Sequence, residues 1–436
     1  MNTTTGLAVP TVHEKTAYRK AFIRLIPFLM LCYVAAFLDR VNVSFAELHM
    51  SKDLGWSATV YGLGAGVFFI GYFLFELPSN LYMHRVGAKA TLVRIMVAWG
   101  IISGLFAFVV EDWQFYILRF LLGVAEAGFY PGVLLFLTYW FPSHRRGAAT
   151  SLFILALPVA GMVGAPLSGA ILSGMDGLFG FAGWQHLFIV EAIPSIVLGL
   201  LCLKLLSNSP AEARWLTPAE RDVIERDLAV ERERKSSFAA HSVRELLHNK
   251  WLIYLIVLCF CQAFGIYGLT FWLPRLVQAA GVSGALSIGL VAAIPFGLGA
   301  LAVVLFGRSS DARLERRHHL AVALLIGAVG LCASALLSPV STVAAIAALS
   351  VAAMGVYPAL AMFWNLPGAF FTGVGTAAAL AIINSFGNLS GFASPYMMGI
   401  VTDLTGSATV GLYIIATFLI IGAALAYIAP KHIVNK

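Results

Sequence analysis

Apolar runs of about 20 residues follow one another along nearly the whole chain, and this pattern limits the possible folds more than any other feature. We place about twelve runs, near 22–47, 58–83, 90–110, 113–138, 147–173, 184–207, 250–278, 284–307, 319–338, 341–364, 375–402 and 408–429. Each is long enough to cross ~30 Å of hydrocarbon as a helix. Helices are expected because backbone groups in lipid must be bonded within their own segment, and the alternating strands of a membrane barrel are absent. The sequence therefore predicts an all-α integral membrane protein with about twelve transmembrane helices.

The composition agrees with a chain that contacts lipid. Of its 436 residues, 60% are hydrophobic and 11% are charged, whereas soluble domains carry about 25% charged residues. No short apolar segment with a small-residue cleavage site precedes the first run, so we expect no cleaved signal peptide. The five cysteines all lie in apolar runs, and their odd number argues against a disulfide framework.

The basic residues gather in alternate loops. A net charge of +7 is compatible with a nucleic-acid partner, but this distribution is not. The basic residues of the first tail and of the loops after runs 2, 4 and 8 are Lys15, Arg19, Lys20, Arg85, Lys89, Arg145, Arg146, Arg308, Arg313, Arg316 and Arg317. The opposite loops hold almost none, Lys52 and Arg275 being the exceptions. This positive-inside pattern predicts a protein of the bacterial cytoplasmic (inner) membrane with both termini in the cytoplasm, and it argues against a nucleic-acid partner. We expect the protein to be a monomer.

One charged segment divides the runs into two groups of about six. Its acidic and basic residues alternate at helical spacing, as expected of a solvated amphipathic helix. The two groups repeat one another, since GFYPG in run 4 matches GVYPA in run 10. Such duplicated units are typical of secondary transporters, which bind substrate between the halves near the bilayer midplane. The predicted order is a cytoplasmic tail, a six-helix bundle, a cytoplasmic linker, a second six-helix bundle and a cytoplasmic tail, at 1–21, 22–207, 208–249, 250–430 and 431–436.

Charged residues also lie within the runs, away from their ends. They are Asp39 and Arg40 in run 1, Glu76 in run 2, and Arg119 and Glu126 in run 4. A charge at the bilayer centre costs ~2.5–3.5 kcal/mol on insertion scales, so each one needs a cause. The acidic and basic residues of runs 1 and 4 sum to zero charge, and a balanced set costs less to bury than any member alone. An inert ion-pair network is one interpretation, and for Glu76 we favour a structural role.

The other interpretation is a binding site for an organic anion. A guanidinium binds a carboxylate through two parallel hydrogen bonds. Where carboxylates of the protein already match an arginine, the anion must compete with them, and a buried carboxyl group that takes up a proton leaves that competition. Proton and anion then favour each other's binding, as symport requires. A Na⁺-coupled scheme would use the same carboxylates and stays open.

Several segments, taken together, are specific to one family. They are LDRVNVSFA, ELPSNLYMHRVGAK, RFLLGVAEAGFYPG and YWFPSHRRGAATS in the first half, and GLTFWLPRL, SSDARLERRHH and NSFGNLSGFASPYMMG in the second. In these segments the chain resembles the anion:cation symporter family of the major facilitator superfamily, which includes bacterial permeases for tartrate, galactonate, hexuronates and aromatic acids. The resemblance implies two pseudo-symmetric six-helix bundles and import of a small organic carboxylate by proton symport and alternating access. It implies no cofactor and no metal.

The resemblance also gives roles to the charged residues. It implies that Arg40 is the ligand of the substrate carboxylate. It implies Asp39 and Glu126 as protonation sites, with Arg119 as their charge partner. Residue patterns alone lead to this set of four charges, but not to the neutral residues that the resemblance adds.

Neutral residues complete the predicted site. The resemblance implies that Tyr72, Asn384 and Asn388 face the substrate, although hydrogen bonding between helices is an equally weighted role for the two asparagines. Aromatic residues such as Trp272 and Trp364 are predicted to line a cavity, where a flat aromatic acid would stack on them. Lipid contact or core packing is their alternative role.

Other functions remain as alternatives. A uniporter, exchanger or exporter of organic anions would share the same fold and the same charges. A membrane enzyme or sensor is a remote alternative, because the sequence has no HExxH, GxSxG or phosphate-loop motif and no large loop. The sequence does not name the organic acid.

Overall fold

The computed structural model describes residues 12–236, 248–313, 315–371 and 374–431, in which all regular structure is helical. The helices in chain order are α1 (Val12–Asp53), α2 (Ala58–Val86), α3 (Ala88–Leu105), α4 (Asp112–Glu126), α5 (Phe129–Thr138), α6 (Ser143–Gly174), α7 (Gly183–Leu205), α8 (Pro218–Ser236), α9 (Lys250–Ala279), α10 (Ala285–Arg313), α11 (Arg317–Leu337), α12 (Thr342–Phe363), α13 (Pro367–Phe370), α14 (Val374–Asn388), α15 (Ser390–Thr405) and α16 (Thr409–Ile428).

The spanning helices agree with the predicted runs, with two breaks that the hydropathy pattern does not reveal. Eleven segments of the described residues are long and apolar enough to cross a membrane. One of them is interrupted between α4 and α5 at Gly128, whose φ of +89° is readily adopted by glycine. The predicted run at 375–402 is divided at Leu389 into α14 and α15, of 15 and 16 residues. Counted together, these two helices supply the twelfth crossing.

The first helix begins earlier than its apolar run. It is helical from Val12 onward, so residues 12–21 of the predicted tail form a helical extension of the first span. The predicted tails also include residues 1–11 and 432–436, and the predicted linker includes 237–247. These three segments lie outside the described residues.

Polar side chains cap the N-termini of several spanning helices. Ser57 accepts a hydrogen bond from the backbone N–H of Val60 at 3.3 Å, and Ser341 caps α12 in the same way. The Asn249 side chain accepts from the backbone N–H of Trp251 at 2.9 Å. Each cap satisfies a backbone donor that has no partner within its own helix.

The helices form two groups that meet along glycine-lined contacts. α1 packs on α6 and α7, and α2 on α4, whereas α11 packs on α12 and α16 in the second half. Between the halves, α2 packs on α15 and α6 on α10. A Cβ at Gly62 would lie 2.4 Å from the carbonyl oxygen of Pro395, and one at Gly289 would lie 2.3 Å from that of Ala165. These backbones approach so closely because neither position has a side chain.

One end of the space between the halves is closed; we call it the sealed end. There, Arg275 of α9 pairs with Glu47 of α1 at 2.6 Å. The carboxylate of Asp403 accepts hydrogen bonds from the backbone N–H groups of Ala58 and Thr59 at 3.0 and 2.8 Å. Each of these contacts joins the first half to the second.

The described part of the linker docks on the first half. Tyr18 of α1 donates a hydrogen bond to Asp227 of α8 at 2.8 Å. Lys20 of α1 lies 2.7 Å from Glu220 of α8. The amphipathic helix predicted from the alternating charges is therefore present as α8, and it uses those charges to contact the membrane bundle.

Candidate functional site

A cavity of about 890 Å³ lies between the two halves and is lined by both. Polar and aromatic residues on its wall include Tyr33, Arg40, Phe68, Tyr72 and Tyr130 from the first half, and Gln262, Tyr267, Thr270, Tyr357, Trp364, Asn384 and Asn388 from the second. At the end of the cavity opposite the sealed end, the wall includes Arg146, Arg308 and Arg316, and we call this the basic end. The cavity therefore lies between the sealed end and the basic end.

Arg40 of α1 forms the cationic part of the cavity wall. Its guanidinium pairs with Glu126 of α4, and the Arg40 Nε to Glu126 Oε1 distance is 3.1 Å. The rings of Phe68 and Tyr72 lie 5.3 and 5.9 Å from the guanidinium carbon, within the range of cation–π attraction. Arg40 is 9% exposed and Glu126 is 2% exposed. The predicted arginine thus reaches the cavity, with a carboxylate directly behind it.

Asp39 lies on the other side of α1 from Arg40, because adjacent residues of a helix diverge by about 100°. Its carboxylate accepts hydrogen bonds from Trp99 Nε1 at 3.0 Å and Ser103 Oγ at 2.8 Å, and a further one from Ser195 Oγ. These donors belong to α3 and α7. Asp39 is therefore surrounded by neutral donors within the first half, and its role as a protonation site stays a prediction.

Arg119 of α4 is bonded to backbone instead of carboxylate. Its guanidinium donates to the carbonyl oxygens of Gly64 and Ala65 at 3.1 and 3.2 Å, and to that of Arg40 at 3.4 Å. It joins α4 to α2 and to the segment of α1 that carries Arg40. Within the described residues, none of its hydrogen bonds goes to the carboxylates that we expected it to accompany. Its part as their charge partner stays a prediction.

Glu76 joins the two halves beside the cavity. Asn384 Nδ2 donates to Glu76 Oε1 at 2.6 Å, and Ser385 Oγ donates to Glu76 Oε2 at 2.8 Å. Both donors belong to α14, across the interface from α2. The structural role that we favoured for Glu76 agrees with this contact. The contact also engages an asparagine that we predicted to face the substrate.

The other predicted neutral residues divide between the cavity and the sealed end. Asn388 lines the cavity and accepts a hydrogen bond from Tyr267 at 2.8 Å, which agrees with hydrogen bonding between helices, and its contact with substrate stays a prediction. Tyr72 and Trp364 line the cavity as well. Trp272 does not, which corrects its predicted position: it is fully buried, its ring packs edge-on against Tyr61, and Arg275 lies over it at 5.2 Å. The physical reason is that it lies near the end of α9 that contacts the first half.

One polar residue of the cavity wall was not among the predicted site residues. Gln262 of α9 is buried, and neither its side-chain oxygen nor its nitrogen has a hydrogen-bond partner among the described residues. An unpaired buried amide is unfavourable unless something else binds it. The signal was available, since this glutamine interrupts the apolar segment LCFCQAFG.

The chemistry of the cavity suits a small anionic molecule. Arg40 supplies a planar donor that matches a carboxylate, and its surroundings supply amides, phenols and aromatic faces. The arginines at the basic end add positive potential at the entrance, although Asp311 lies among them. Among the described residues, no group of three or more His, Cys, Asp or Glu side chains is arranged to hold a metal ion.

Known proteins share both this sequence pattern and this architecture. A family model described as Major Facilitator Superfamily matches residues 29–395. A protein of Agrobacterium vitis named as a tartrate transporter is 45% identical over 96% of this chain and 92% of its own length. The Pseudomonas putida protein named as the metabolite transport protein NicT is 44% identical over 98% of each chain. An Acinetobacter baumannii protein named as a quinolone resistance transporter is 38% identical over 95% of each chain.

The fold also matches solved transporters. A bacterial homologue of the human lysosomal transporter Spinster, in an inward-facing and unoccupied conformation, superposes with a TM-score of 0.77 and 18% identity, covering 95% of this chain and 98% of that one. At this identity, the superposition shows a shared fold along nearly the whole of both chains. The chain therefore belongs to the major facilitator superfamily, and it is a multi-pass membrane transporter of a small molecule and not an enzyme.

Proposed function

We propose that the transporter imports a small organic carboxylate anion together with protons, by alternating access across the bacterial inner membrane. The substrate class is a sugar acid, hydroxy acid, dicarboxylate or aromatic acid. The observation that carries the proposal is the Arg40 guanidinium, which lies on the cavity wall and is already paired with the buried Glu126. The name of the Agrobacterium vitis relative supports a hydroxy dicarboxylate as the first compound to test.

Competition for Arg40 couples the proton to the anion. While Glu126 is ionised, its carboxylate occupies the guanidinium that a substrate carboxylate needs. A proton on Glu126 removes that negative charge, and the guanidinium is then free to bind the substrate through two hydrogen bonds. Because binding free energies are reciprocal, the bound anion in turn favours the protonated carboxyl group. Asp39, one residue away but on another face of α1, is the second predicted protonation site.

The neutral groups of the cavity orient the anion once its carboxylate is bound. Tyr72 and Phe68 cover the guanidinium with their rings, which limits water at the ion pair. Gln262 offers an amide without a protein partner to a hydroxyl or a second carboxylate. Asn388 and Tyr267 offer a hydrogen-bonded pair on the facing helices. A polar acid gains several hydrogen bonds in this arrangement, and a flat acid gains aromatic contact.

Alternating access follows from the two ends of the cavity. By the positive-inside pattern, the basic end faces the cytoplasm, so the described conformation is open inward. Opening to the other side requires Glu47 and Arg275 to separate and the basic end to close. In this scheme the Arg40–Glu126 pair moves as part of one half, so the rocking motion does not break it.

Reconstituted transport measures the coupling. The probe is the acid that raises the melting temperature most in a panel of tartrate, a sugar acid, a dicarboxylate and an aromatic acid. In vesicles with an imposed pH gradient, Glu126→Gln should abolish uphill accumulation of the labelled probe but keep counterflow exchange, because the neutral amide mimics the protonated carboxyl group. Glu212→Gln, in the linker, is the matched control and should accumulate the probe as the parent does. Uphill accumulation by the Glu126 variant would disprove the coupling role.

A second candidate function has one observation in its favour. The Acinetobacter baumannii relative is named as a quinolone resistance transporter, and export of a carboxylate-bearing aromatic compound would use the same arginine. The direction of the gradient separates the two functions. A proton-coupled importer accumulates the probe when the outside is acidic, whereas a proton antiporter releases it under the same gradient. A uniporter does not respond to the pH gradient.

A further inference from the structure

A second cavity lies outside the transport site, on the first turns of α1. It has a volume of about 500 Å³ and is lined by Lys15, Thr16, Arg19, Lys20, Ile23, Arg24 and Trp215. We call it the α1 pocket. It combines the first turns of α1, up to the start of the apolar run, with one residue of the segment that joins α7 to α8. Neither the carboxylate site nor the proton step uses any of these residues.

The α1 pocket holds more positive charge than the protein neutralises. Lys20 is paired with Glu220 at 2.7 Å. Arg24 lies over the ring of Trp215 at 5.4 Å, so this cation meets an aromatic face. Lys15 and Arg19 are exposed and make no ion pair among the described residues. Three cations around one cavity therefore have no carboxylate partner in the described part of the chain, which favours an anionic ligand.

The length of α1 sets the depth of the α1 pocket in the membrane. Arg24 precedes Lys52, the basic residue in the last turn of the same helix, by about 28 residues. At a rise of ~1.5 Å per residue these two side chains are ~42 Å apart along the helix. A bilayer with its headgroup layers is about 40–45 Å thick. With Lys52 at one surface, the α1 pocket lies in the headgroup layer of the other.

An apolar stripe leads from the α1 pocket toward the hydrocarbon. Ile23 is 59% exposed, Leu31 is 56% exposed, and Pro27 between them is also exposed. Their spacing of four residues places them on one face of α1. Ile23 also lines the α1 pocket, so the basic cavity and the stripe are continuous. A free phosphate would use only the cavity, whereas a phospholipid would use both parts.

We propose that the α1 pocket binds the headgroup of an anionic phospholipid, with an acyl chain along the Ile23–Leu31 stripe. The phosphodiester lies among Lys15, Arg19 and Arg24, and Trp215 forms the polar–apolar boundary of the site. Because Trp215 belongs to the segment joining the halves, the lipid also holds that segment against α1. The proposal does not depend on which substrate is carried or on the coupling ion.

Native mass spectrometry of the intact transporter measures the binding. The probe is phosphatidylglycerol, and phosphatidylcholine is the zwitterionic comparison. Arg19→Gln combined with Arg24→Gln should weaken the phosphatidylglycerol complex about 30-fold, since each cation near a membrane surface contributes about fivefold to binding of an anionic lipid. The control, Arg85→Gln with Lys204→Gln, removes the same charge from exposed positions outside the α1 pocket and should change binding less than about twofold.

Two further measurements test the apolar stripe and the identity of the anion. Ile23→Ser keeps every cation and should weaken the lipid complex about threefold through lost apolar contact, so it serves if the double arginine variant does not fold. Inorganic phosphate should not displace the lipid at concentrations where a short-chain phosphatidylglycerol does. Equal binding of phosphatidylcholine, displacement by inorganic phosphate, or an undiminished complex in the Arg19/Arg24 variant would each overturn it.

Discussion

The two halves of the transporter share a helical plan but differ in buried charge. In the described part of the first half, the buried acidic, basic and histidine residues are Asp39, Arg40, Glu47, Glu76, Arg119, Glu126, His186 and Glu191. In the described part of the second half, the buried polar residues are instead Gln262, Thr270, Ser310, Ser334, Ser350, Ser390, Ser394 and Thr402, all of them neutral. One copy of the repeat therefore carries the charges, and the other faces them with amides and hydroxyl groups.

The internal repeat shows at which corresponding positions the two halves differ in charge. When the GxYP motifs of α5 and α12 are aligned, Arg119 corresponds to Ile346 and Glu126 corresponds to Ala353. Burying an ion pair is costly, and separating its members in a dry interior costs more. Because Arg40 and Glu126 belong to the same half, their pair can persist while the halves rock. A duplicated scaffold therefore permits a buried ion pair to lie within one copy, so that a movement between the copies does not separate its members.

Replacing the arginine of the cavity wall should have the largest effect on substrate binding. In Arg40→Lys the positive charge remains, but the two parallel hydrogen bonds to a carboxylate are lost. We expect affinity for the probe acid to fall on the order of 100-fold, corresponding to two charge-assisted hydrogen bonds. Isothermal calorimetry measures this loss. Arg94→Lys, on the outer part of α3, is the control; comparable weakening there would show that arginine geometry at the cavity is not the cause.

Replacing a neutral residue of the second half should have a smaller effect. We expect the protein to become more stable and its binding of substrate to become weaker. Gln262→Leu removes an amide that has no protein partner, so unfolding should cost about 1–3 kcal/mol more. KM for transport should rise about fivefold if the amide binds substrate. Thermal unfolding and uptake measure the two quantities. Gln278→Leu, near the exposed end of α9, should change neither; lower stability of the Gln262 variant would mean that its amide is satisfied in the protein.

The sealed end should show the smallest effect. Glu47→Gln weakens the pair with Arg275, whose side chain is 30% exposed, so the loss should be about 1 kcal/mol or less. The population open at the sealed end should then increase by at most about fivefold. Distances between spin labels in loops 54–57 and 280–284 report that population. Asp53→Asn provides a nearby control, and an unchanged distance distribution in Glu47→Gln would assign the seal to its other contacts, among them Asp403 with the backbone of α2.

Much of the fold was accessible from the sequence, because the thickness of hydrocarbon imposes a length on every crossing. Hydropathy located the spans, and the charged linker and the repeated motif indicated two halves. The breaks at Gly128 and Leu389 were not indicated, since a single residue hardly changes the mean hydropathy of a run. The helical start of α1 at Val12 was not indicated either, because hydropathy marks only the apolar part of a helix.

The candidate site was predictable in its residues but less so in its contacts. Their position within apolar runs and their balanced charge indicated that Arg40 and Glu126 are buried together, and they are paired. Periodicity did not indicate that Arg119 would be satisfied by carbonyls of α2, that Trp272 would lie at the sealed end, or that Gln262 would be unpaired. A helical period gives the direction of a side chain, whereas its partner depends on which distant helix crosses at that height.

By itself, the sequence determined that this chain spans a membrane in two related groups of helices, and that a nearly neutral set of charges would be buried in the first group. Only the tertiary structure decided how that set divides into an ion pair at the cavity, a carboxylate among neutral donors and a guanidinium bound to backbone. The physical reason is that the free energy of removing a charged side chain from water depends on that residue alone and can be read from its place in an apolar run. The partners that offset this free energy come from distant helices, and only helix packing brings them together.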